Sequence, residues 1–264
     1  MPKIGFLYPG FSAEDDYPTA QRLLVAGAGR GAGPGAGPET ASGSAEADPD
    51  RSVPELVVVH TEMSEDAHRV DALLAIGADD VLAEGVRRLG PVASVIWACT
   101  SGSFVFGWDG AAAQVGALRA VAGGPASSTS FAFADAAARL GLTRVAVAAT
   151  YPDDVAAHFA RFLGSAGVDV VRLSSLGIVT AAEVGTLGPD RVLELAAAGD
   201  HPDAQAVLLP DTALHTVAVL DRLEDRLGKP VLTANQVSIW QGLRLAGDRV
   251  GRTGLGTLFR EPPA

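Results

Sequence analysis

Short apolar, β-branched runs alternate along this chain with stretches of helical periodicity, and that alternation constrains the fold more than any other feature. Val92–Cys99 reads VASVIWAC and Ala204–Pro210 reads AQAVLLP. Neither run alternates polar with apolar residues, so each reads as a strand covered on both faces, as in a parallel sheet. Parallel neighbours need long crossovers, and helix-patterned segments separate the runs. Strands are expected at Lys3–Tyr8, Glu55–Val59, Val92–Cys99, Arg144–Ala149, Asp169–Leu173, Ala204–Pro210 and Pro230–Thr233. Helices are expected at Asp15–Val25, Asp109–Ala122, Phe131–Leu140, Asp153–Leu163, Pro189–Ala198, Ala213–Leu227 and Gln236–Leu245. Ser64–Leu89 is helical too, with a break near Gly77 and Asp79-Asp80, and Pro125–Thr129 reads as a short crossing. The order predicts an α/β fold with a parallel sheet in each half.

Ala26–Pro54 interrupts the pattern. Rich in Gly, Ala and Pro and almost without large apolar residues, it cannot offset its ordering entropy and reads as a flexible surface insert. Its glycines do not make a dinucleotide fingerprint, since no strand leads into them and no clean helix follows. With no phosphate loop elsewhere, a nucleotide-binding reading has the least support. The net charge of −11 and the scatter of the 20 basic residues argue against nucleic acid as a partner. No apolar stretch approaches the length of a membrane span. One cysteine allows no intrachain disulfide, and Met1–Gly10 does not read as a signal peptide, so a reducing, cytoplasmic setting is expected. Assembly into a homo-oligomer stays open.

The chemistry-bearing candidates sit where strands stop. Cys99 ends one buried run and is followed by Thr100-Ser101-Gly102-Ser103; Asp211 ends another and is followed by Thr212-Ala213. Open α/β sheets bind ligands at such carboxyl ends. Each candidate has a plainer reading. A lone cysteine is often an inert core residue. An Asp or Thr ahead of a helix is a common N-cap, and Tyr151, in the turn Thr150-Tyr151-Pro152, could simply pack. If Cys99 is reactive, neighbouring N–H groups are expected to lower its pKa. The five histidines show no metal-ligand spacing and read mostly as surface residues, with His60-Thr61-Glu62 in a solvated loop. No metal and no cofactor is expected.

Four segments together carry a family resemblance: Ile4–Pro9, Trp97–Ser103, Thr143–Asp154, and Ala204–Thr212 followed by Leu227–Trp240. In their order and spacing the chain resembles the maleate cis–trans isomerase and arylmalonate decarboxylase branch of the Asp/Glu racemase superfamily. The resemblance implies two pseudo-symmetric, Rossmann-like α/β halves with a site in the cleft between them and a C-terminal segment returning to the first. The first half would be 1–125 and 234–264, the second 126–233. It also implies cofactor-independent chemistry on a small carboxylic acid. Cys99 matches the first of two catalytic cysteines, and Asp211 stands where the second belongs. Thr100, Ser101 and Tyr151 match positions whose hydroxyls hold a substrate carboxylate. Pro9 matches a loop beside that pocket, and Thr212 follows Asp211 into it. The single-thiol pattern departs from the family's isomerases, which use both thiols, and from its decarboxylase, which keeps only the second. The expectation is an isomerase or racemase working through Cys99 with Asp211 as partner acid or base. The alternatives are a decarboxylase of a malonate-type acid and a non-catalytic carboxylate-binding protein.

Overall fold

The computed structural model describes residues 1–28 and 53–260. Its strands are β1 (Lys3–Pro9), β2 (Glu55–Thr61), β3 (Ser94–Trp97), β4 (Ala126–Ser128), β5 (Arg144–Ala149), β6 (Asp169–Ser175), β7 (Ala206–Leu209) and β8 (Val231–Thr233). Helices in the first part of the chain are α1 (Asp16–Ala28), α2 (Val70–Ile76), α3 (Asp79–Leu89), α4 (Ser101–Phe104), α5 (Gly107–Ala122) and α6 (Thr129–Arg139). Those that follow are α7 (Asp153–Ser165), α8 (Ala181–Val184), α9 (Pro189–Gly199), α10 (Leu220–Leu227), α11 (Ala234–Leu245) and α12 (Thr257–Arg260).

The strands form two four-stranded sheets, ordered β2-β1-β3-β4 and β6-β5-β7-β8, and every pairing is parallel. The second sheet repeats the order of the first. In each, the strand order reverses between its first and third strands in sequence, which is the switch point where open α/β sheets leave a crevice at their carboxyl ends. The reversals lie between β1 and β3 and between β5 and β7. Pro9, Cys99, Tyr151 and Asp211 all sit at or just beyond the carboxyl ends of these four strands.

All four residues of β3 and all four of β7 are buried, as the apolar character of every one but Ser94 leads one to expect. A continuous core runs from the first sheet into the second through aromatic contacts. Phe104 of α4 meets Tyr151 at 5.9 Å and Phe159 of α7 at 5.4 Å, while Trp108 of α5 meets Phe162 at 4.9 Å. A separate core lies around α9, Leu223 of α10 and parts of β5 and β7. After β8 the chain crosses back, and α11 packs against β3, β4 and α6. Close approach there depends on Gly242, where an added Cβ would lie 2.6 Å from Ile4. Its carbonyl accepts from Ser94 Oγ at 2.8 Å.

Several local expectations need correction. Ala126–Ser128, read as a crossing, is strand β4 and pairs with β3, so sheet membership changes after β4 rather than before residue 126. This three-residue strand of Ala and Ser carries no β-branched signal, and only its partner reveals it. Residues 64–69 are not helical, and the break near Gly77 separates α2 from α3. Residues 213–216 are not helical: Asp211 Oδ1 accepts from the Ala213 N–H at 2.9 Å in the turn at 212–213, and helical structure starts with a 3₁₀ turn at Val217. α1 continues through Ala28, into the stretch read as an insert; residues 29–52 of that stretch lie outside the described residues.

Candidate active site

Between the carboxyl ends of the two sheets lies a small, partly open cavity. Pro9, Cys99, Ser101, Asp211 and Thr212 line it, together with Ser12, Met63, His68, Leu73 and Ile76. Two sequence candidates stand behind the wall instead. Thr100 is fully buried, and its Oγ1 has no hydrogen-bond partner among the described residues. Tyr151 is buried, and its hydroxyl donates to the Pro210 carbonyl at 2.8 Å. Burial holds that phenol well above its usual pKa, and the nearby Thr100 and Ser101 hydroxyls offset part of the shift.

Cys99 emerges two residues after β3, where the chain turns into α4. The Gly102 N–H donates to its Sγ at 3.2 Å, and the Ser101 hydroxyl lies 3.8 Å away. These donors favour the thiolate, as expected from sequence. Burial outweighs them, aided by the negative charge of Asp211, and the thiol is pushed up to about 11.

Asp211 follows β7 from the other half. Its Oδ2 accepts from Thr150 Oγ1, and its Oδ1 closes the turn onto Ala213, so the side chain caps a turn and no helix. The loop carrying it is braced from the first half. Tyr8 Oη donates to the Thr212 carbonyl at 2.9 Å, and Asn235 Nδ2 donates to the same oxygen at 3.1 Å. The buried Asp16 carboxylate accepts from the Thr216 and Val217 N–H groups at 3.0 and 3.1 Å. Asp211 and Thr212 thus stand on a fixed platform.

Besides the lining residues Ser12, Met63, Leu73 and Ile76, two residues around Asp211 escaped the sequence reading. Thr150, at the end of β5, grips Asp211. His68, grouped with surface histidines, is 6% exposed and lines the cavity, with Nε2 4.0 Å from Asp211 Oδ2. The available signal was position alone, on the loop leaving the carboxyl end of β2. His60 instead stacks on the exposed Phe11 and hydrogen-bonds the Gly10 carbonyl through Nδ1. Among the described residues no Lys or Arg lines the cavity, while Glu65 and Asp66 do, so an anion in it would rest on N–H and O–H donors and on His68.

Comparisons with known proteins agree with this architecture. The sequence model of the family described as arylmalonate decarboxylase matches residues 63–259. The chain is 30% identical over 229 residues to arylmalonate decarboxylase from Bordetella bronchiseptica, covering 84% of this chain and 93% of that one. It is 27% identical over 124 residues to maleate isomerase from Alcaligenes faecalis, covering 47% and 49%. Among solved structures, arylmalonate decarboxylase superposes with a TM-score of 0.70 at 26% identity, covering 98% of this chain and 100% of the other. A maleate cis–trans isomerase variant from Nocardia farcinica with a covalently bound succinylcysteine intermediate superposes with a TM-score of 0.76 at 19% identity, covering 99% of each.

Proposed function

We infer the chemistry from one premise: the chain belongs to the arylmalonate decarboxylase family. It is an enzyme of a family whose members bear the names of arylmalonate and maleate chemistry. The reaction proposed for it is decarboxylation of a small malonate-type diacid, with Cys99 as the proton donor. The carbon–carbon bond to the departing carboxylate breaks and carbon dioxide leaves. The electron pair stays on the α-carbon, delocalised onto the remaining carboxylate. The Cys99 S–H then gives its proton to that carbon, and the thiolate regains one from water. Hydroxyl and N–H donors around the remaining carboxylate would stabilise the charge that grows there.

The observation that carries this reading is the place of Cys99 in the cavity wall, where burial pushes its thiol up. A thiol held near pKa 11 suits proton delivery; addition of a thiolate to an alkene, the step implied by the succinylcysteine adduct of the maleate isomerase, would need the other protonation state. A second reading, racemase or isomerase, is favoured by Asp211, a second proton-transferring group lining the same cavity.

Turnover in heavy water separates them. The protein is incubated with phenylmalonate, maleate and a set of 2-substituted carboxylates. Carbon dioxide release with one solvent deuterium in the product is expected, with a loss of about 10²–10⁴-fold in Cys99→Ser, the usual worth of a positioned acid. Exchange without carbon dioxide release would support the racemase, and conversion of maleate to fumarate the isomerase. No reaction with any acid would refute the carbanion chemistry.

A further inference from the structure

We propose that Gln114 is a positioning residue of this site: its side-chain amide ties the turn that presents Cys99 to the helix that supplies apolar wall to the cavity, and so holds thiol and wall at one spacing. This rests on the reading above only in taking Cys99 as the group that acts on the bound acid.

Thr100 has helical backbone angles, and Ser101–Phe104 make a single helical turn, α4. A helix this short has little stability of its own, because its nucleus fixes several residues for few hydrogen bonds. The turn is held from outside. The Gly102 N–H donates to Cys99 Sγ at 3.2 Å, and the Gly102 carbonyl accepts from Trp97 Nε1 at 3.1 Å and from Gln114 Nε2 at 2.9 Å. One residue thus faces the thiol through its donor and two buried side chains through its acceptor. It has no room for a side chain: an added Cβ would lie 3.0 Å from the Trp97 ring and 3.1 Å from Cys99 Sγ.

Gln114 lies on α5, is 4% exposed and stands behind the residues that line the cavity. The same Nε2 also donates to the Gly77 carbonyl at 2.7 Å. Both partners are carbonyls, which only accept, so chemistry fixes the orientation of the amide. Its Oε1 is left buried without a hydrogen-bond partner among the described residues. An apolar side chain of the same length would avoid the cost of that unpaired acceptor. What glutamine supplies against this cost is a pair of donors.

The two bonds join different parts of the site. Gly77 ends α2, whose Leu73 and Ile76 line the cavity. The approach is close, since a Cβ on Gly77 would lie 2.8 Å from Gln114 Nε2. Trp97 belongs to β3, the strand that leads to Cys99, so its bond tethers the turn to its own strand and leaves α2 free. Gln114 links the turn to α2. Moving α2 away from the thiol, or rotating the Gly102 peptide, breaks a buried hydrogen bond. A ligand resting on Leu73 and Ile76 then meets Sγ at a fixed distance, and a misplacement of about 1 Å can lower a rate by about 100-fold.

The test compares wild type, Gln114→Met and Gln114→Glu. Met keeps the length of the side chain without its donors. Glu keeps the shape; protonated, it donates one O–H to one carbonyl, and ionised it sets lone pairs against both. Burial among carbonyls favours the protonated form. Decarboxylation of phenylmalonate is measured at pH 5.5 and 8.5, and hydrogen exchange of the Gly102 amide is followed by NMR without substrate. Gln114→Met is expected to fold and to lower kcat at least about tenfold, with KM changing much less. Its Gly102 amide should exchange at least about tenfold faster, while that of Val147 in β5 keeps its wild-type rate. Gln114→Glu should recover part of the lost kcat at pH 5.5. Three results overturn the proposal: wild-type kcat in Gln114→Met, a Gly102 amide whose exchange rises no more than that of Val147, or a Gln114→Glu no faster than Gln114→Met at pH 5.5. Gln114→Leu takes the place of Gln114→Met should the latter not fold. If wild type releases no carbon dioxide from phenylmalonate, the decarboxylase reading falls, and exchange at Gly102 still decides whether Gln114 holds the turn.

Discussion

Alkylation of Cys99 gives a direct measure of the thiol on which the proposed reaction depends. Burial raises it from an ordinary value of 9.0 to about 11, against the lowering effect of the Gly102 N–H and the Ser101 hydroxyl. Two units mean that the thiolate is about 100-fold scarcer than in an exposed cysteine, near one part in 10⁴ at pH 7. Iodoacetamide reacts with the thiolate, and with only one cysteine in the chain intact mass reports its modification without ambiguity. The rate is expected to climb about tenfold per pH unit from pH 7 to 9.5 without levelling. The same shift affects stability. The folded-state pKa lies above the unfolded one, so the full stabilisation is present below about pH 9. It is lost as pH rises toward 11, by about 3 kcal/mol in all. Urea unfolding at pH 7.5 and 10.5, compared with Cys99→Ala, isolates that contribution. A rate that plateaus below pH 9, or one that matches the unfolded chain at pH 7, would refute the argument and return Cys99 to the role of a standing nucleophile.

Tyr151→Phe removes the donor to the buried Pro210 carbonyl; denaturant unfolding should show a loss of about 1–2 kcal/mol, with KM little changed. A large rise in KM would instead mean that the hydroxyl turns to the substrate, as the sequence resemblance implies. Thr150→Val keeps the shape but strips one of two donors from Asp211; about 1–3 kcal/mol of stability should go, and kcat should fall more than KM rises. Gly77→Ala would set a Cβ 2.3 Å from the Gly102 carbonyl oxygen, behind the turn that presents Cys99. Overpacking of about 1–3 kcal/mol is expected there, together with slower turnover.

Much of the framework was legible in local pattern. β5 falls on the residues its periodicity marks, and the break between α2 and α3 lies at the predicted interruption. Cys99 and Asp211 stood out because each closes an apolar run, a feature visible within eight residues of chain. Errors concentrated where local signals were weak or misleading. The three small residues of β4 become a strand only because β3 lies beside them. The turn after Asp211 resembles a helix start because an Asp that caps a turn and one that caps a helix are the same residue type. Histidine in a loop carries no mark of burial.

Sequence alone determined the alternation of strands and helices, and with it the parallel α/β architecture, since the side-chain periods of strand and helix are set by the backbone within a few residues. It also determined which side chains sit at strand ends. Tertiary structure alone decided what surrounds them. Thr150 reaches Asp211 across 61 residues and His68 meets Ile178 across 110, contacts that no local window contains. The direction of the Cys99 shift depends on the fold in the same way. The N–H groups that favour its thiolate come from its own turn and could be foreseen. The burial that overrides them comes from the fold around it, because the cost of holding a charge depends on how much water the whole assembly excludes.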